Sequence, residues 1–171
     1  MLMNNNDILS RLRYALDIKD KEMVEIFELG GIETTTAEVR EMLAKKNAGE
    51  ETEEQGHDYG RDIDNRTLES FLNGYVTLKR GAQEDKQGNG QNQFLMSSNN
   101  RNVNNILLKK LKIALSLTSE DMVDILNEVG VDLSKSELSA VLRKEGHRNY
   151  KECGDRYARN FLKGLALRYR D

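Results

Sequence analysis

The chain repeats itself. Displaced by 99 residues, residues 5–47 fall on residues 104–146 without a gap, with identities such as Asn6/Asn105, Leu12/Leu111, Met23/Met122, Ile26/Ile125, Gly31/Gly130 and Glu38/Glu137. Further on the displacement shortens to 90, pairing His57/His147, Arg66/Arg156, Phe71/Phe161, Leu72/Leu162 and Gly74/Gly164. The nine-residue difference equals the acidic stretch 48–56 (AGEETEEQG), which reads as an insertion in the first copy. A duplication fixes the domain plan before any local pattern is read. Residues 1–80 form a first unit, 81–103 a linker and 104–171 a second unit.

Each unit carries four helical patterns. The first places Ile8, Leu9, Leu12, Ala15 and Leu16 on one face, matched by Leu107, Leu108, Leu111, Ala114 and Leu115. The second follows Asp20 in one copy and Thr118/Ser119 in the other, residue types that cap helices, and stops at Gly31 or Gly130. The third opens with Thr35-x-x-Glu38 or Ser134-x-x-Glu137, a spacing in which the hydroxyl accepts from the N3 amide and the glutamate returns to the cap amide. The fourth buries Leu68, Phe71, Leu72 and Tyr75, or Ala158, Phe161, Leu162 and Leu165. Inside it, Gly74 and Gly164 each cost ~1 kcal/mol relative to alanine, and their recurrence points to a close helix crossing rather than a ligand contact. No stretch alternates with period two. The expected fold is all-α, two tandem units of about four short helices each.

The linker 81–103 is rich in Gly, Asn and Gln. Such a segment buries too little apolar surface to offset its ordering entropy, so it is expected to be flexible over roughly twenty residues. Phe94, Leu95 and Met96 interrupt it. They are either a docking element or an incidental apolar triplet.

Composition excludes several classes. In 171 residues there is no proline, one cysteine, 37% hydrophobic and 6% aromatic residues. No apolar run approaches the ~20 residues that a bilayer needs, and Cys153 has no disulfide partner in the chain. No basic, apolar leader stands at Met1–Asp7, so a reducing cytoplasmic location and no membrane are expected. The net charge of −3 conceals an asymmetry: residues 1–100 hold 12 Lys/Arg against 19 Asp/Glu, whereas residues 101–171 hold 14 against 10.

The stretch 143–155 (RKEGHRNYKECGD) is the most distinctive in the chain. Cys153 and His147 would make a thiolate–imidazolium nucleophile if they met with an orienting third group. Against this, Ile63 stands where Cys153 stands in the second copy, which suits a small buried apolar residue. Two histidines and one cysteine lack any ligand-pair spacing for zinc. No phosphate loop, metalloprotease or nucleophile-elbow motif occurs. No catalytic, cofactor-binding or metal-binding residue is therefore assigned, and no cofactor is expected.

Basic residues are the better lead. At about 100° per residue, Arg159, Lys163 and Arg170 lie within ~60° of Arg156, opposite Phe161 and Leu165. Upstream stand Arg143, Lys144, Arg148 and Lys151, with His147 and Tyr150 among them. Arg143, Lys144, His147, Arg148, Tyr150, Lys151, Arg156, Arg159 and Lys163 form the candidate interaction patch. The second and third helices also loosely resemble a helix-turn-helix, but the connection from Gly130 to Ser134 is longer than usual and residues 135–144 offer few base readers.

The segments 104–117 (NNILLKKLKIALSL), 119–126 (SEDMVDIL), 147–155 (HRNYKECGD) and 160–164 (NFLKG) resemble the YehS-like family of small bacterial proteins. The first-copy segments 6–16 (NDILSRLRYAL) and 70–81 (SFLNGYVTLKRG) resemble it too, and the long 48–56 insert is the main departure. The resemblance implies a cytoplasmic protein with no assigned activity, cofactor or site residue. The first functional reading is a non-catalytic protein-interaction or adaptor module, binding a protein partner or itself as a homodimer. Nucleic-acid binding or regulation through the second unit's basic face is the alternative. An enzyme built on Cys153 and His147 comes third.

Overall fold

The computed structural model describes residues 4–43, 62–81, 94–96 and 101–170. The acidic insertion 48–56, His57 and most of the linker lie outside the described residues. Among those described there are helices and no strand. The first set comprises α1 (Asn5–Ala15), α2 (Asp20–Leu29), α3 (Thr36–Leu43) and α4 (Asn65–Arg80). The second comprises α5 (Val103–Ala114), α6 (Ser119–Glu128), α7 (Lys135–Leu142) and α8 (Asp155–Tyr169). Val103, read as the end of the linker, is the first residue of α5, and its side chain is buried.

Most helix ends follow from local chemistry. Thr118 caps α6 by accepting from Asp121 N at 3.0 Å, and the Asp121 carboxylate returns to Thr118 N at 2.9 Å. Asn4 and Asp7 make the same box on α1. Thr35 and Ser134 accept from the amides of Glu38 and Glu137 at 3.1 and 3.2 Å. At Ser134 the hydroxyl also donates to the Glu137 carboxylate, in place of the expected return to the cap amide. Gly31 and Gly130 take φ of +93° and +83°, where glycine is unstrained, and the next amides reach back to Phe27 O and Leu126 O at 2.8 and 2.9 Å.

Asp20 departs from the expectation. Lys19 is the cap of α2 and Asp20 its first residue. The Asp20 carboxylate is drawn instead to Arg40 and Arg13, at 3.1 and 2.8 Å, and their hydrogen bonds hold it below the ordinary value of 3.8.

Buried asparagines then fold each set. Asn6 donates to Met42 O at the end of α3 and accepts from Ile63 N ahead of α4, at 2.8 and 3.2 Å. Asn105 repeats this, donating to Val141 O and accepting from Cys153 N, at 2.8 and 2.9 Å. One planar amide thus pins the first helix, the end of the third and the entry to the fourth. Asn5 and Asn104 add equivalent bonds, to Asn65 and Asp155, each at 2.8 Å. The described helices recur with the same internal ties.

The two sets pack on each other reciprocally. Within a set, the fourth helix lies on the second, α4 on α2 and α8 on α6; across sets, α4 lies on α5 and α8 on α1. One continuous apolar core results, running from Ile8 and Phe27 through Phe71 and Leu107 to Phe161. The close crossings rest on the repeated glycines. A Cβ on Gly74 would stand 1.9 Å from Ile26 O, and one on Gly164 would stand 2.5 Å from Ile125 Cγ2 and 2.7 Å from Ile125 O. Packing is therefore the role of both.

Because a Gly74 Cβ would overlap a backbone oxygen at 1.9 Å while the tightest backbone approach of a Gly164 Cβ is 2.7 Å, the two should differ in degree. Gly74→Ala is expected to cost about 3 kcal/mol or more and Gly164→Ala about 1–2 kcal/mol. Urea unfolding of the two variants, read by circular dichroism, gives the comparison.

Candidate functional site: the groove between α1 and α8

The reciprocal packing places equivalent residues at two interfaces. By the displacements of 99 and 90, Lys110 corresponds to Arg11, Glu69 to Arg159 and Asn73 to Lys163. Between α4 and α5 the three positions are closed. Glu69, Lys110 and Asn73 are 1%, 5% and 1% exposed. Lys110 Nζ stands 3.0 Å from Glu69 Oε2 and donates to Asn73 Oδ1. Burial pulls the Lys110 ammonium below its usual value, and the Glu69 carboxylate works against that pull.

The linker completes this arrangement. Leu95 N and Met96 N donate to the two Glu69 oxygens at 2.6 and 2.9 Å, and Asn102 Nδ2 donates to Leu95 O at 2.7 Å. Arg66 lies 4.0 Å from the centre of the Phe94 ring. Phe94–Met96 is thus a docking element, held by backbone donors on a buried carboxylate, an interaction no hydropathy pattern records.

Between α1 and α8 the same positions line an open groove of about 550 Å³. Its walls carry Ser10, Arg11 and Tyr14 from the first set and Arg159, Leu162 and Lys163 from the second. Arg11 and Lys163 are exposed and Arg159 is half-buried. Tyr14 is held from outside the groove: Arg170 lies 4.1 Å from its ring centre and donates to Tyr14 O at 2.7 Å and to Asp17 Oδ1 at 3.4 Å. Chemically the arrangement concentrates donors and positive charge on a partly apolar floor. It suits anion recognition.

The patch read from the sequence is divided among several places. Arg159 and Lys163 face this groove, and Arg156 is exposed one turn earlier on α8. Arg143 lines a separate groove of about 420 Å³ with Lys109 and Lys112. Lys144, His147, Arg148 and Lys151 are exposed in the α7–α8 connection. Lys151 serves it through its backbone, donating to Ala140 O and accepting from Asn105 Nδ2 at 3.0 and 2.8 Å. Tyr150 is half-buried, with its hydroxyl enclosed and burial raising its pKa. On α7, the helix compared with a recognition helix, Lys135 pairs with Glu120 at 2.6 Å.

Arg11 and Tyr14 were missed because they belong to the acidic first unit. For Arg11 the signal is the displacement itself, which sets it against Lys110, whereas Tyr14 falls on Ile113 and carries no such signal.

Cys153 and His147 do not form a dyad. Cys153 is 3% exposed and its Sγ points at Gly154 O, 3.7 Å away. His147 is exposed, and its Nδ1 accepts from Asn149 N at 3.0 Å. Burial, with a smaller effect of Asp155, pushes the thiol up to about 12. Among the described residues no three His, Cys, Asp or Glu side chains gather as a metal site, and no helix is long and apolar enough to cross a membrane.

A family model described as "Protein of unknown function (DUF1456)" matches residues 5–81 and 104–171. The chain is 38% identical over 166 residues to the uncharacterized protein YehS of Escherichia coli (strain K12), covering 97% of this chain and 96% of that protein. No solved structure matches it.

Two outcomes are expected. With its thiol at about 12, Cys153 should resist iodoacetamide in the native protein up to about pH 9 and react on adding urea, as mass spectrometry of the alkylated chain would record. Glu69→Ala should cost about 3–5 kcal/mol in urea unfolding, because it removes the counter-charge of the buried Lys110 ammonium and the acceptor of two amides. Lys110→Ala should cost less, since Glu69 keeps both amide donors.

Proposed function

The chain belongs to the DUF1456 family of proteins of unknown function, and we propose that it is a non-catalytic interaction module whose docking surface is the α1–α8 groove. One observation carries this reading. The groove is built from both units, and it is open and cationic where the equivalent α4–α5 interface is closed and neutralised. Solvent-facing cations on a fixed scaffold, with Leu162 beside them, are the elements of a recognition surface rather than of a reaction centre. Reciprocal helix packing inside one chain also occupies the faces that a homodimer of single units would use, so a foreign partner fits better than a second copy. A reducing cytoplasmic setting accords with the single buried thiol.

Nucleic-acid binding is the second reading. It is favoured by the exposed Arg156 and by the separate groove of Lys109, Lys112 and Arg143.

Affinity capture from native lysate separates the two, using the wild-type chain and the Arg11→Glu, Lys163→Glu double variant, each with and without nuclease. The expected result is a partner that survives nuclease with the wild type and is lost from the variant. Retention abolished by nuclease would favour the second reading. Equal retention by the variant would remove the groove from either.

A further inference from the structure

The groove's closed counterpart says what it is shaped to hold. Between α4 and α5, the place facing Lys110 is filled by the Glu69 carboxylate, which also accepts from the amides of Leu95 and Met96. Between α1 and α8 the matching cation is Arg11, but the carboxylate position is Arg159 and the amide position Lys163. Three positive side chains therefore line this groove, where the other interface sets a carboxylate and an amide around its one lysine. We propose that the α1–α8 groove binds an acidic segment of a partner protein, a Glu or Asp carboxylate of which pairs with Arg11, the cation equivalent to Lys110. This rests on the reading of the groove as a docking surface and names its occupant.

Charge and shape agree on the occupant. Like charges brought together on a scaffold repel, and an anion between them relieves the repulsion. Arg11 and Arg159 each present a planar fork that grips a carboxylate with two parallel bonds. Arg159 is also engaged within the chain, and its five donors can serve more than one acceptor. The sign of the interaction is inverted relative to the closed interface: there the protein offers a carboxylate to backbone N–H groups, here it offers donors to carboxylates and carbonyls. A peptide suits the site better than a polynucleotide. The Tyr14 ring, on which a base would stack, already carries Arg170 on one face.

The test uses the full chain and a fluorescein-labelled peptide of alternating Glu and Ser, followed by anisotropy at low salt. The comparison probes are the corresponding Gln/Ser peptide and a labelled oligothymidylate. The Glu peptide should bind, weaken as salt rises and outcompete both others. Arg159→Glu should weaken it about tenfold or more, while its melting temperature stays at or above that of the wild type, because the substitution sets a carboxylate beside Arg11 as Glu69 stands beside Lys110. Arg159→Lys should retain most of the binding. Equal binding of the Gln peptide, unchanged binding by folded Arg159→Glu, or preference for the oligothymidylate would each overturn the proposal. If the Glu peptide fails while the double variant still loses its nuclease-resistant partner, the occupant is wrong and the docking surface stands. If both fail, the docking surface falls as well.

Discussion

The fourth helix of each set has two partners, and the architecture depends on its serving both. One face lies on the second helix of its own set, where Gly74 or Gly164 lets the backbones close to a distance that no Cβ tolerates. The other lies on the first helix of the opposite set. A helix buried along two faces needs a wide apolar arc, which Leu68, Phe71, Leu72, Tyr75 and Val76 supply in α4. The crossing glycines make the doubled burial possible without overpacking. Without the reciprocal contact, each set would leave the first and fourth helices half-uncovered.

Reciprocity also makes the differences between the halves informative. Two sets of helices with matching sequence patterns and matching internal ties give two comparable interfaces, so the side chains that differ stand out. At α4–α5 a buried ion pair is tolerated because Glu69 receives two backbone donors as well as Lys110. Removing charges from water is costly, and only a fully hydrogen-bonded arrangement offsets that cost. At α1–α8 the carboxylate is gone, and the cations that replace it stay in contact with water. One interface serves cohesion and the other presents charge.

Local chemistry was legible where a residue acts through its neighbours in sequence. The caps at Thr118 and Ser134 and the stops at Gly31 and Gly130 depend on a few adjacent residues, and they stand where the sequence put them. Asp20 was misread as a cap because Arg13 and Arg40 approach it from other helices. Phe94–Met96 was undecidable because its anchor is a carboxylate 26 residues away. Cys153 lies close to His147 in sequence, yet the connection turns the thiol inward and leaves the imidazole outside.

The sequence alone determined the helical class through its periodicity, and through its repeat the correspondence of helices between copies and the equivalence of Gly74 with Gly164, since periodicity and spacing are local properties of the chain. It also held Arg159 and Lys163 as candidates on one face of α8. Only the tertiary structure decided that the first set contributes Arg11 and Tyr14 opposite them, and that Glu69 and Lys110 close the matching interface. The reason is physical: charges on separate helices acquire a shared function only when packing brings them together, and packing depends on contacts far apart in the chain.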